Sequence, residues 1–139
     1  MIIAIDFDGT IVEHAYPEIG NPIPFAIDTL LQLQKDGHQL ILWSVRDGAL
    51  LRDAIDYCAQ QGLYFYAENE NYRGETKEKE SVPKKLKADL FIDDRNLGGL
   101  PDWGVIYNAV RATVNGGNPL TIMAGGSALP EPKKKRRWF

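Results

Sequence analysis

Apolar residues in this chain gather in short unbroken runs, and the stretches between them carry apolar positions at helical spacing. MIIAIDF at residues 1–7 is rich in β-branched side chains without polar alternation, the pattern of a strand buried on both faces. Residues 8–22 contain Gly9, Pro17, Gly20, Asn21 and Pro22 and read as loop. Positions 25, 26, 27, 30, 31 and 33 then form one apolar helical face, opened by Pro24 and closed by Gly37, the order in which helices use these residues. HQLILWS at 38–44 predicts a second buried strand, ending at Ser44. Asp47 follows as the N-cap of a helix with Leu50, Leu51, Ala54, Ile55 and Cys58 on one face and Gly62 as terminator. LYFYA at 63–67 predicts a third strand, 68–80 a polar loop, and SVPKKLK at 81–87 a short helical turn. ADLFIDD at 88–94 reads as a strand ending in acids, DWGVIYNAVRATVNGG as a helix capped by Asp102, and LTIMA at 120–124 as a last short strand. No internal repeat is present. Strands alternating with helices predict an α/β fold with a mainly parallel sheet.

A chain of 139 residues fits one domain of ordinary size, and 44% hydrophobic with 25% charged residues excludes a disordered or membrane composition. No apolar stretch approaches the roughly 18–20 residues that span a bilayer. The opening MIIAID meets an acid at position 6 and lacks a basic n-region, so no signal peptide is expected and the reading is cytoplasmic. Cys58 is the only cysteine, which excludes an intrachain disulfide and a thiolate metal cluster; its helical spacing makes it a buried structural thiol. The net charge of −3 hides an asymmetry: residues 124–139 carry Lys133, Lys134, Lys135, Arg136 and Arg137 against Glu131 alone, over a more acidic body. The expected organisation is therefore a core over 1–123 and a disordered Gly/Ser/Pro linker with a basic tail over 124–139.

The two acid pairs change the picture most. Asp6 and Asp8 are separated by one residue at the end of the first strand, and Asp93-Asp94 end a later one. Ligands in open α/β sheets bind at the carboxyl ends of strands, so distant segments are expected to bring these acids to one place. Converging carboxylates repel, and a hard divalent cation resolves the repulsion: magnesium takes a few carboxylate or carbonyl oxygens together with water and phosphate. No histidine or cysteine cluster competes for a softer metal. His38 reads as structural or solvated. His14, in the loop after the first pair, reads as a loop residue with a substrate contact as its alternative. Beside magnesium, one carboxylate can attack phosphorus while a second manages the proton of the leaving oxygen and the hydrolytic water.

These residues resemble the haloacid dehalogenase superfamily of phosphatases. Its first motif, Asp-x-Asp-x-Thr, is matched by Asp6-Phe7-Asp8-Gly9-Thr10, its second by Ser44 in LILWSVR, and its fourth by Asp93-Asp94 in FIDDR. The likeness runs from residue 1 to about 110. It implies a three-layer Rossmann-like domain in which Asp6 is the nucleophile and Asp8 the general acid/base. Asp6, the Asp8 backbone carbonyl and Asp93 would hold Mg2+, with Asp94 assisting. Thr10 would steady the motif loop, and Ser44 would hydrogen-bond the phosphoryl group. A motif lysine falls among Lys77, Lys79, Lys84, Lys85 and Lys87; Lys85 is favoured because it closely precedes the strand. Arg46 and Asn96, each just beyond a strand end, are candidates for substrate contact, with a salt bridge or loop hydrogen bond as the alternative for each.

Many members of that superfamily cover the site with an inserted cap domain. Neither residues 9–22 nor the polar loop 68–80 is long enough to form one, so no cap is expected and the site should be open. The expected function is a magnesium-dependent phosphomonoester hydrolase acting through an aspartyl-phosphate on a nucleotide, a sugar phosphate or a nucleic-acid end. The alternative is a non-catalytic phosphate- or metal-binding module on the same fold. Residues 133–139, with Trp138 and Phe139, would suit a polynucleotide backbone and base. A homo-oligomer could cover an open site.

Overall fold

In the computed structural model, which describes residues 1–75 and 86–117, four strands form one parallel sheet in the order β3-β2-β1-β4. They are β1 (Ile2–Ile5), β2 (Gln39–Leu42), β3 (Ala67–Glu68) and β4 (Leu90–Ile92). Three helices accompany them among the described residues: α1 (Ala26–Lys35), α2 (Gly48–Gln60) and α3 (Trp103–Val114). This is an α/β, Rossmann-like arrangement. Among the described residues no helix is long and apolar enough to cross a membrane.

The chain divides into two units, residues 1–100 and 101–139. In the first, Ile3, Ala4 and Ile5 of β1 and Leu40, Ile41 and Leu42 of β2 are buried without alternation, as a strand covered on both faces requires. Against them lie the apolar stripes of the helices, Leu30 and Leu33 on α1 and Ala54 and Cys58 on α2, all fully buried. Burial pushes the Cys58 thiol up to about 12, which makes it the inert thiol its spacing suggested. In the second unit, Asp102 caps α3 by accepting from the Gly104 N–H at 3.2 Å. Trp103, Ile106 and Val110 make its buried stripe.

Boundaries differ from the sequence reading where backbone hydrogen bonds are spent locally. α1 begins at Ala26 rather than Pro24, because Phe25 takes a left-handed backbone (φ 67). Asp47 occupies the N-cap of α2 but its side chain makes no capping hydrogen bond. Only the end of LYFYA enters the sheet: the Tyr66 N–H donates to Leu40 O at 2.8 Å, and the strand proper begins at Ala67. The Leu63 N–H closes α2 by donating to Cys58 O and the Gly62 N–H donates to Ala59 O, a Schellman end that takes up the first residues of the run. Gly37 and His38 end α1 in the same way, on Gln34 O and Leu33 O. The residues expected to form LTIMA and the basic tail lie outside the described residues, as does most of the turn expected over 81–87.

Candidate functional site

Residues 6–25 leave the end of β1 as a loop whose first turn is tight. Phe7 O accepts from the N–H groups of Thr10, Ile11 and Val12, and the Gly9 N–H donates to Val12 O. Gly9 sits at φ 84, and a Cβ there would collide with His14 Nε2 and Asp94 Oδ2. Only glycine permits both the backbone conformation and that approach.

The register of β1 with β4 decides what faces this turn. Ile5 pairs with Ile92, and the Asp6 N–H continues the ladder onto Ile92 O at 3.0 Å, so Asp6 and Asp93 leave the sheet side by side. Carboxylate oxygens of Asp6, Asp93 and Asp94 lie within 4.8 Å of one another. Burial, then the charge of Asp93, and further on that of Asp94, push the Asp6 carboxyl from 3.8 up to about 7. Asp94 accepts from or shares a proton with His14 Nε2 at 2.7 Å through Oδ2. Burial pushes the Asp94 carboxyl up, but hydrogen bonding to His14 and Asp93 outweighs it and holds the group below its ordinary value. The other oxygen, Asp94 Oδ1, is buried and has no hydrogen-bond partner among the described residues. The Thr10 hydroxyl, fully buried, donates to Asp6 Oδ2 at 3.5 Å.

Asp8 does not join this cluster. Its carboxylate is turned onto Arg46 and accepts from Nε at 2.7 Å on Oδ2 and from Nη2 at 2.8 Å on Oδ1. Those bonds raise Arg46 above its ordinary value. Nη2 also donates to Glu18 O at 2.8 Å, and Nη1 to Pro17 O at 3.1 Å and Leu50 O at 3.4 Å. The five N–H groups of a guanidinium thus meet five acceptors. The rings of Phe7 and Tyr16 lie 5.2 Å from its carbon. Of the two readings of Arg46, substrate contact or a salt bridge, the salt bridge is the one made, buried rather than exposed: Arg46 is 1% exposed, with every donor spent inside the protein.

Ser44 follows β2, which runs beside β1; the Trp43 N–H donates to Ile5 O at 2.8 Å. Ser44 Oγ accepts from the Arg46 N–H at 3.0 Å, so its own O–H is left to donate. Asn96 is committed as well: its amide donates to Asp93 O at 2.9 Å and closes the turn after β4, the loop hydrogen bond that was its alternative. Lys85, Lys77, Lys79 and Lys84 lie outside the described residues. Lys87 is described, and its backbone N–H is held by Asn71 Oδ1.

One residue of the site is absent from the sequence reading. Asn69, at the end of β3 with φ 54, accepts from the Ser44 N–H at 2.7 Å and donates to Arg46 O at 3.1 Å. It ties down both ends of the loop after β2. The available signal is an asparagine at a strand end, one of the few residues that tolerate a left-handed backbone.

Fold and site together define an α/β domain with a three-carboxylate centre at the carboxyl ends of adjacent parallel strands. No protein-family profile matches the chain, and no curated protein does. A solved structure does match: the conserved protein coded by a locus of Bacteroides thetaiotaomicron, 58% identical, covering 81% of this chain and 91% of that one, with a TM-score of 0.76. The chain belongs to the family of that conserved protein.

Proposed function

We propose that the protein is a magnesium-dependent phosphomonoester hydrolase of the haloacid dehalogenase type, with Asp6 as the group that accepts the phosphoryl. The observation that carries this reading is the meeting of Asp6, Asp93 and Asp94 oxygens within 4.8 Å at two neighbouring strand ends. The donor set suits magnesium: all oxygens, one of them the buried Asp94 Oδ1, unpartnered among the described residues, beside a carboxyl that burial, and then its neighbours' charges, hold up near 7. Asp6, Asp93, Asp94 and the Asp8 backbone carbonyl would hold the ion. Bound magnesium supplies charge that makes the carboxylates tolerable together and draws electron density from phosphoryl oxygens.

Within the chain, Asp6 attacks phosphorus, Thr10 holds its carboxylate, and the free O–H of Ser44 donates to a phosphoryl oxygen. The motif lysine, Lys85 by its place in the sequence, would neutralise both nucleophile and phosphate. The substrate is a nucleotide, a sugar phosphate or a nucleic-acid end, the last through residues 133–139, at a site without a cap that a second copy could shield. Such an enzyme would work in the cytoplasm. Asp6→Asn should abolish phosphate release from p-nitrophenyl phosphate in magnesium while circular dichroism shows an intact fold; turnover at the wild-type rate would sink the mechanism.

One observation favours a second reading, a module that binds metal and phosphate without turnover. The resemblance gives proton transfer to Asp8, and both oxygens of Asp8 are taken by Arg46. Calorimetric binding of magnesium and inorganic phosphate, with no phosphate released from any ester, would favour that module.

A further inference from the structure

Beside the site, Arg46 has an acceptor for every N–H of its guanidinium. Its backbone is fixed at both ends, the N–H on Ser44 Oγ and the carbonyl under the Asn69 amide. Its head meets five acceptors between two aromatic rings, and its partner Asp8 is 8% exposed. For Asp8 to reach a leaving oxygen it must release two charge-assisted hydrogen bonds and strand a buried guanidinium. Nothing else on the guanidinium is free to compensate, because every other N–H already has its acceptor.

We propose that the site acts on phosphoryl groups whose leaving group departs as a stable anion, a carboxylate or phosphate oxygen rather than an alkoxide, because Arg46 withholds the Asp8 carboxylate from proton transfer. The inference rests on Asp6 as the phosphoryl acceptor; of the substrates of that reading it keeps a nucleotide that carries a phosphoanhydride and sets aside sugar phosphates and nucleic-acid ends, which would release an alkoxide. A carboxylate oxygen of Asp6 forms a bond to phosphorus. The bond from phosphorus to the leaving oxygen breaks, and its electron pair leaves with that oxygen. Water then attacks phosphorus, the bond to Asp6 breaks with its electron pair returned to the carboxylate, and the protons of water remain on the phosphate. A phosphorylated anion and water thus give the leaving anion and dihydrogen phosphate, with no protein proton donor required. Acyl phosphates and phosphoanhydrides meet this condition, and alkyl phosphates do not. Arg46 is then a positioning residue, acting through Asp8.

The test is the dependence of rate on leaving-group basicity. Acetyl, p-nitrophenyl, phenyl and ethyl phosphate are offered in magnesium to the full chain and to Arg46→Lys, and phosphate release is followed. The expected result is a steep fall along the series, with ethyl phosphate at least ~10²-fold slower than acetyl phosphate, the factor a positioned acid would otherwise supply. Arg46→Lys, which cannot make the bidentate pair, should flatten that slope; a purely structural loss would lower all four rates together. If it does not fold, the wild-type slope alone decides. Acetyl and ethyl phosphate turned over within about tenfold of each other would overturn the proposal and leave Asp6 chemistry intact. An unflattened slope in a folded Arg46→Lys would overturn the role of Arg46. No phosphate from any donor, acetyl phosphate included, would overturn the hydrolase reading and this inference with it.

Discussion

Between pH 3.8 and about 7 the half-buried Asp6 carboxyl still holds a proton that an unfolded aspartate has released. The native chain therefore binds more protons than the unfolded one across that window, and its stability falls as pH rises through it. Below the window both states are protonated, and above it both are ionised, so this group adds no slope there. Other carboxylates slope the opposite way, Asp94 among them, so the contribution is read as a difference. In chelator, Asp6→Asn should gain stability over wild type between about pH 4 and pH 7, followed by urea unfolding. A difference that does not change with pH would show that neither burial nor its neighbours hold the proton on Asp6. The neighbours' part explains why the centre suits a cation: the charge of Asp93 and Asp94 that raises Asp6 is the charge that magnesium would neutralise.

At the scale of elements, the site depends on loops pinned from distant strands. Asn69 reaches from β3 to the loop after β2 with a 2.7 Å bond to the Ser44 N–H and a 3.1 Å bond to Arg46 O. Asn69→Ala removes both and places a poorer residue at φ 54. A loss of about 1–3 kcal/mol is expected in urea unfolding, the cost of leaving such groups unpaired, and any phosphate release should fall with it. A change within about 0.5 kcal/mol would mean that the loop after β2 holds itself. The strands and helices themselves were largely legible, because burial on both faces writes unbroken runs into β1 and β2 and one-face burial writes helical spacing into α1 and α2. β3 was legible as a strand but not in its bounds, because the hydrogen bonds that end α2 consume the start of its apolar run. The left-handed Phe25 and the uncapped Asp47 were equally hidden, since neither follows from periodicity.

For the molecule as a whole, a cation bound to the folded chain and not to the unfolded one stabilises it by mass action. At a hundredfold over its dissociation constant this is about 2.7 kcal/mol, several degrees in Tm for a domain of this size. Magnesium should raise the Tm of the wild-type chain by that order and leave Asp93→Asn nearly unmoved. An equal rise in both would place the ion elsewhere.

By itself the sequence determined the alternation of elements and the acids that end their strands, because local burial patterns and strand-end positions are properties of neighbouring residues. Only the tertiary structure decided that β4 lies directly beside β1, which sets Asp93 next to Asp6. It also decided the fate of Asp8, since a guanidinium 38 residues away meets both its oxygens. Long-range pairing is settled by which buried donors find acceptors once the chain has folded, and no local pattern records that choice.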